Sequence, residues 1–508
     1  MARDSLTQGT HNNVIKANWG KRTDERQAHT AVTISSMSED HELLEKLVRL
    51  VGAAHVLRGE DVSARSTHFW DPSPLEAMAI IRPANTAETA EVIKACHAAG
   101  QAVITHGGVT GLVDGNRTHA GDIVLSLERQ RSIESVDAIG RTMTLQAGAI
   151  LQDVQQAAND AGLQFGLDLG ARGSCTIGGN LSTNAGGLSV LRYGMAREQV
   201  LGLEVVLADG TVMSSMNHML KNNAGYDLKH LFIGSEGTLG IITRVVLRLR
   251  AQTPAVNTAL LAFDSFTNLT STLALLDRQF SGTLDAFEVL WQPFYKLNTT
   301  PGLPGSVAAP LPDDYPLYAI VETKCASSET GDAQFEATLE MVFEKGYLAD
   351  AIIAKSRQER ASIWHIRENI ELALKHDPVF VYDISLPVAS MERYVSDLEQ
   401  NLRRQWPDVI LYVYGHLADG NLHILVAPPA GSELSGKDKR NWQSSSNAMV
   451  YEPLQQLGGS ISAEHGIGLF KKGYLGLSRT PQEIQMMKLL KKTLDPSGIL
   501  NPGKVVTP

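Results

Sequence analysis

Gly170-Ala171-Arg172-Gly173-Ser174-Cys175-Thr176-Ile177-Gly178-Gly179-Asn180, continuing to Thr183-Asn184-Ala185-Gly186-Gly187, is the stretch on which the fold turns. It is the middle of three glycine loops. Gly107-Gly108-Val109-Thr110-Gly111-Leu112 precedes it, and Gly234-Ser235-Glu236-Gly237-Thr238-Leu239-Gly240-Ile241-Ile242-Thr243 follows it, each beside a segment patterned as a strand. Closely spaced N–H groups with no side chain in the way can cradle a pyrophosphate. A tight turn would explain any one of these loops. Three in order, with 22 of the chain's 44 glycines between Gly107 and Gly240, imply a backbone that comes close to a ligand. No GxGxxG occurs, and Asn116 to Gly121 is turn material rather than a helix start, which excludes the dinucleotide fingerprint of the doubly wound fold.

Around the loops the elements alternate. Asn85 with Glu88 three residues on caps a helix that buries Val92, Ile93 and Cys96 and stops at Gly100. Strands are expected at 101–105, 122–127, 141–146, 203–208 and 241–249, a helix at 150–161, and a hairpin turn at Asp209-Gly210. After Arg250 helices near 266–279, 333–345, 356–375 and 391–405 alternate with strands near 286–290, 317–323, 380–385 and 409–414. Helices at 442–456 and 481–494 close the chain. The first part alternates in an α+β or α/β manner and the second is α+β; the expected fold class is α+β, in four parts: a disordered extension at 1–38, a ligand-binding domain at 39–250, a second α+β domain at 251–427 and a C-terminal helical segment at 428–508, expected to return to the first.

The 508 residues carry 45 Lys+Arg against 55 Asp+Glu, a formal charge of −10. That balance argues against sequence-independent binding of nucleic acid, which needs basic residues to displace phosphate counterions. Cys96, Cys175 and Cys325 are too few and scattered for a disulfide framework or a zinc knuckle, so a reducing compartment is expected. No apolar run has a membrane-spanning length, and Asp4, Asp24 and Glu25 speak against a mitochondrial presequence. The expected location is cytoplasmic, or peripheral at the inner membrane face.

A second informative stretch is Tyr412-Val413-Tyr414-Gly415-His416-Leu417-Ala418-Asp419-Gly420-Asn421-Leu422-His423-Ile424-Leu425-Val426. Asp-Gly between alternating strands predicts a two-residue turn at Asp419-Gly420, which sets His416 directly across from His423, about 4.5–5.5 Å apart at Cβ. Val413, Leu417, Leu422, Ile424 and Val426 then point into core. A third ligand is offered by Ser460-Ile461-Ser462-Ala463-Glu464-His465-Gly466-Ile467-Gly468, where a strand ends in an acid and a His before glycines. The plainer alternative pairs Glu464 with Lys471 or Lys472 at the surface. Two imidazoles and a carboxylate with open positions suit catalytic zinc or manganese.

The motifs in series, TxGGxTGL, GxxIGGNxxTNAGG, LRYG, GYDLKxLFIGSEGTLGIIT and LDPxGILNPGK, resemble the FAD-dependent D-2-hydroxy-acid dehydrogenases of the vanillyl-alcohol oxidase and p-cresol methylhydroxylase superfamily, over about residues 40–508. The resemblance implies a p-cresol methylhydroxylase-type FAD-binding domain with a ferredoxin-like α+β cap over the substrate. It implies that Gly107, Gly108, Val109, Thr110, Gly111 and Leu112 hold the FAD pyrophosphate. Thr176, Gly178, Gly179, Asn180, Thr183, Asn184, Gly187, Glu236, Gly240, Ile241, Ile242 and Asn501 would line the cofactor. Covalent attachment in the superfamily often uses a His where this chain has Val109, so noncovalent FAD is expected. The resemblance further makes His416, His423 and Glu464 metal ligands and His465 the general base. In Trp364-His365-Ile366-Arg367-Glu368 it makes Arg367 the anchor of the substrate carboxylate.

The implied reaction oxidises a D-2-hydroxy acid to a 2-oxo acid, with the hydroxyl proton passing to His465 and the Cα hydrogen leaving as hydride to flavin N5. In the 2-hydroxyglutarate branch a Thr, a Lys and an Asn meet the distal carboxylate; here those positions read Glu371, Val381 and Leu425. A second carboxylate would be buried unpaired, so the expected side chain is small or apolar, as in D-lactate. The alternatives are a D-2-hydroxyglutarate dehydrogenase, a flavin subunit of a glycolate oxidase-type complex, or an oxidase of an alcohol, sugar or amine without the metal. An electron acceptor (quinone, cytochrome or electron-transfer flavoprotein) and a homodimer are the expected partners.

Overall fold

The computed structural model describes residues 40–68, 71–429 and 431–508. The extension expected at 1–38 lies outside the described residues.

In the first half the helix signature is realised. The Asn85 side chain accepts the Glu88 N–H at 2.9 Å, the helix runs Thr86–Ala98, and the chain leaves it through Gly100 at φ 65°. Val103–His106 follows and lies parallel to Ile123–Ser126, itself parallel to Ala79–Ile81. A second, antiparallel sheet carries Val200–Val206, Ile241–Arg248 and Thr142–Gln146 side by side. Its hairpin turns through Asp209 and Gly210, with Val206 paired to Val212. One apolar core joins both sheets to the helices Thr86–Ala98, Leu151–Asp160 and Ile177–Thr183.

The second half is one seven-stranded antiparallel sheet, whose strands we number β1 (Ala255–Phe263), β2 (Leu284–Trp291), β3 (Leu317–Cys325), β4 (Asp350–Ile353), β5 (Phe380–Ser385), β6 (Ile410–His416) and β7 (Asn421–Ala427). The spatial order is β4-β1-β3-β2-β6-β7-β5. With helices α1 (Phe266–Phe280) and α2 (Ser328–Glu344), the first four strands make a βαββαβ unit in order 4-1-3-2, the ferredoxin-like arrangement, which β5–β7 extend. Strands β1 and β4 are absent from the sequence reading. In β1 the reason is burial: Ala259 to Phe263 are covered on both faces and show no alternation. The single helix expected over 356–375 is two, α3 (Arg357–Glu368) and a short turn Glu371–Leu374, because the chain leaves helical geometry at Asn369.

Each face of this sheet has its own core. Val413, Leu417, Leu422, Ile424 and Val426 share one core with α1 and α2, and the helices Val388–Gln405 and Gly436–Leu457 close that layer, the second through Val450, Tyr451 and Leu454. Tyr414, Leu425, Ile320 and Leu260 face α3 through Ile363, Trp364 and Ile366. After the helix Pro481–Leu494 the tail enters the first half: Ile499 and Leu500 join its core, and Val103 N–H donates to the Ile499 carbonyl at 2.8 Å. Among the described residues no helix is long and apolar enough to cross a membrane.

Candidate active site

The histidine hairpin differs from its expected register. Tyr414, not His416, stands across from His423, and a single 3₁₀ turn, Leu417–Asp419, with Gly420 at φ 83°, replaces the two-residue turn. The turn takes the four residues Leu417 to Gly420 instead of two, and at its base Gly415 lies so close to Asn421 that a Cβ there would collide with its carbonyl. On the other edge of β6, His416 lies across from Glu288 on β2. The shift from the expected pairing is two residues, an even number, so every side chain keeps its face. His416 and His423 still meet, with ring centroids 5.4 Å apart.

Glu464 completes the group. Its Oε2 lies 3.9 Å from Nε2 of His416 and 3.9 Å from Nε2 of His423, and the three ligand atoms fall within 4.8 Å of one another. Its Oε1 accepts the N–H of Gly187, from the middle glycine loop, at 2.6 Å. A Cβ on Gly186 would collide with that oxygen, so the loop approaches as only glycine allows. Glu464 pairs with neither Lys471 nor Lys472; Lys471 is buried and donates to the Asp383 carbonyl at 3.1 Å. The donor set fits a divalent ion: two imidazole Nε2 atoms and one carboxylate oxygen, with the other ring nitrogen of His416 held at 2.6 Å by Glu288.

Glu288, 1% exposed, is a residue the sequence reading missed. It also accepts from Arg367 Nε at 2.7 Å, so the guanidinium is fixed on one edge while it lies 4.6 Å over the Tyr414 ring. A second Arg367 nitrogen is 3.2 Å from His416 Nε2. With Nε committed, a bidentate grip on a carboxylate is left to the Nη end. Burial pulls the His416 pKa down, but Glu288 and Glu464 outweigh it and hold it up at about 9 against the opposing Arg367. Burial and the Arg367 and His416 charges push His423 down.

A second missed carboxylate, Asp383, lies across from His423 on β5 and accepts the N–H groups of Ala463, Glu464 and His465. His465 keeps Nδ1 4.0 Å from Asp383 Oδ2, and its ring is 5.9 Å from that of His423. Burial lowers its pKa, Asp383 opposes this, and it stays below the ordinary value. One step along the same face, Val381, Leu425 and Tyr412 form the next cross-strand row, about 6.8 Å from the row of Asp383, His423 and Tyr414. Val381 is 37% exposed, Tyr412 bonds His376 at 3.3 Å, and Glu371 is exposed on its short helix. Both missed acids had one signal in the sequence: a charge inside an otherwise apolar strand.

The first and middle glycine loops come together. A Cβ on Gly107 would collide with Thr176 Oγ1, and one on Gly108 with the Ser174 carbonyl; Gly179 lies beside Gly107. Thr176 caps the helix Ile177–Thr183, whose N-terminal turn holds Gly178 and Gly179, and Asn184 ends it in the left-handed region. Gly107 and Val109 border a cavity of about 390 Å³ with Arg65, Ser66, His106 and Ser126, and Thr110, Gly111 and Leu112 continue the same loop. Val109 has φ 55°, a costly state for a β-branched residue. This cradle suits a diphosphate-bearing cofactor. The other residues serve it less directly. Gly240 lies against Val205 and Phe232, and Ile241 and Ile242 belong to the core, leaving their backbone for any ligand. The Asn180 amide reaches Cys175 Sγ. Thr183 bonds its own helix. Glu236, at φ 53°, accepts from Ile467 and Gly468 N–H at 2.7 and 2.8 Å, and Asn501 joins the Glu236 carbonyl to the Thr105 N–H.

Residues 77–215 match the family described as FAD binding domain, and residues 252–505 that described as FAD linked oxidases, C-terminal domain. A D-2-hydroxyglutarate dehydrogenase of Xanthomonas citri pv. viticola is 39% identical over 86% of this chain and 90% of that protein. A mitochondrial D-2-hydroxyglutarate dehydrogenase of Bos taurus is 37% identical over 95% of this chain and 86% of that protein. Among solved structures, p-cresol methylhydroxylase with substrate bound superposes with TM-score 0.73 at 14% identity, over 92% of this chain and 97% of that one. An alkyldihydroxyacetonephosphate synthase does so with TM-score 0.69 at 18% identity, over 91% of this chain and 86% of that one.

Proposed function

The chain belongs to the FAD-linked D-2-hydroxy-acid dehydrogenases, and on that premise we propose that it oxidises a D-2-hydroxy acid with one carboxylate and a small or apolar side chain, using noncovalent FAD and a divalent ion, zinc or manganese. The observation that carries this reading is the Glu464 carboxylate, bonded through one oxygen to Gly187 of the glycine cradle while the other faces two histidine Nε2 atoms. Flavin and metal sites are thereby neighbours.

Gly107 to Leu112 and Thr176 to Gly179 would hold FAD, and His416, His423 and Glu464 the ion. When bound, these groups supply a two-electron acceptor for the C2 hydrogen and a positive charge that favours loss of the hydroxyl proton. The chain's own residues do the rest. The Nη end of Arg367 binds the substrate carboxylate, pre-set by Glu288 and by stacking on Tyr414. His465, with Nδ1 turned toward Asp383, accepts the hydroxyl proton at Nε2; burial keeps the ring neutral and able to do so. The row Val381, Leu425 and Tyr412 receives the side chain. Val109, after the glycine pair, carries no nucleophile, and His106 before it commits Nε2 to the Asn116 carbonyl at 2.8 Å; both favour noncovalent cofactor.

The names of the relatives favour a second reading, D-2-hydroxyglutarate as substrate. The two are separated by mixing oxidised enzyme, without oxygen, with D-lactate or D-2-hydroxyglutarate and following flavin bleaching. Faster bleaching by D-2-hydroxyglutarate rejects the single-carboxylate reading. Metal dependence is tested by EDTA treatment and add-back of zinc or manganese. Reduced flavin must then pass electrons to an acceptor, a quinone, cytochrome or electron-transfer flavoprotein, and we place the enzyme as a cytoplasmic or membrane-peripheral homodimer.

A further inference from the structure

Asp383 is fully buried on β5, and the reaction as derived gives it no chemical task. Its contacts are unusual in number. Oδ2 accepts from Ala463 N–H at 3.1 Å, Glu464 N–H at 2.9 Å, His465 N–H at 2.9 Å and Ser462 Oγ at 3.3 Å. Oδ1 accepts from Asn421 Nδ2 at 2.9 Å, and Lys471 Nζ stands 3.7 Å from Oδ2. Asp383, His423 and His465 also lie close enough to coordinate one ion, all ligand atoms within 4.8 Å. The hydrogen bonds decide between the two roles. Four of the five fall on Oδ2, the oxygen that faces His465, which leaves it no lone pair for an ion, while Oδ1 is held by Asn421.

Three successive N–H groups that converge on one point form a concave turn suited to an anion. In this turn the residues so gathered are the carboxylate that faces His416 and His423 and the histidine that faces the substrate. Glu464 is then fixed twice, by its N–H to Asp383 and by Oε1 to Gly187, which leaves Oε2 as the aimed atom.

We propose that Asp383 is a positioning residue, not a ligand: by collecting the N–H groups of residues 463–465 on one oxygen it sets the direction of Glu464 and His465. This rests on the roles given above to those two side chains. The test is Asp383→Asn, which offers one accepting oxygen in place of two, so either the turn or Asn421 loses its acceptor.

The EDTA-stripped variant, loaded with FAD, is titrated with Mn²⁺ by electron paramagnetic resonance and assayed per flavin. Mn²⁺ affinity and kcat are each expected to fall about 10–100-fold, the usual effect of losing an outer partner of a metal site. KM should stay within about threefold. Deuterium at C2 should slow the variant more than the wild type, because C–H cleavage becomes limiting; partial unfolding would not produce that change. Wild-type Mn²⁺ affinity and kcat in FAD-loaded D383N overturn the proposal. Should D383N retain no FAD, Ser462→Ala removes one donor from the same oxygen and takes its place: a several-fold loss in either quantity supports the proposal, and unchanged values reject it. A wild type that binds no Mn²⁺ and ignores chelation removes the metal reading instead, and Asp383 is then judged on kcat and the isotope effect alone.

Discussion

Glu288 holds the His416 imidazole with one oxygen and the Arg367 guanidinium with the other, so a single buried carboxylate orients both of the groups proposed above to meet metal and substrate. Glu288→Gln keeps the shape but cannot accept from both as an anion. We expect kcat per flavin to fall about 10–100-fold with FAD content unchanged, measured by steady-state kinetics on D-2-hydroxy acids. His465→Ala should abolish flavin reduction while metal analysis still finds the ion. Beside the cavity at Gly107, Glu128 lies between Arg65 and Arg82, with bonds of 2.6 and 3.0 Å. The Arg65 bond, against the cost of burial, lowers its pKa from 4.5 to about 2. Because the folded value is the lower one, the pair stabilises the fold fully above pH 4.5 and loses that contribution as pH falls toward 2. Allowing for its partial exposure, Glu128→Gln should cost about 1 kcal/mol at neutral pH. The gap between the unfolding midpoints of wild type and variant should narrow between pH 4.5 and pH 2; a constant gap would contradict the assignment.

At the scale of elements, the β6–β7 hairpin decides whether the histidines meet. The glycine that permits its close crossing is Gly415, whose Cβ would meet Asn421 and Leu422 backbone. Gly415→Ala is expected to cost about 1–3 kcal/mol of strain and to displace His416, lowering activity at least tenfold with flavin retained; absorbance and kinetics on one sample check it. The faces of this hairpin were legible from alternation: Val413 and Ile424 on one side, His423 on the other. The register was not, because the turn takes four residues, Leu417 to Gly420, where Asp-Gly alone suggested two, and the close approach of Gly415 to Asn421 that goes with it is a contact no local pattern shows. In the same way β1, covered on both sides, gave no periodic signal, whereas the helix begun at Asn85, fixed by its own cap, was readable to within a residue.

At the scale of the molecule, residues 462–468 are gripped by both halves: Asp383 from the cap sheet, Glu236 and Gly187 from the flavin side. The tail closes the same structure from behind, since Asn501 ties the Glu236 carbonyl to the strand that leads into Gly107. Asn501→Ala should therefore loosen flavin binding, seen as a lower ratio of flavin to protein absorbance after gel filtration; an unchanged ratio would show the tail to be dispensable for the cradle. By itself the sequence determined the local matters: which loops lack side chains, where caps and strand faces lie, and which imidazoles and acids are available, because these depend on neighbours a few residues away. Only the tertiary structure decided that Glu464, Gly187, His416 and Asp383 share one point, and which carboxylate aims and which is aimed. Those distinctions come from burial and from which hydrogen bonds each carboxylate oxygen accepts, and both exist only once distant strands have met.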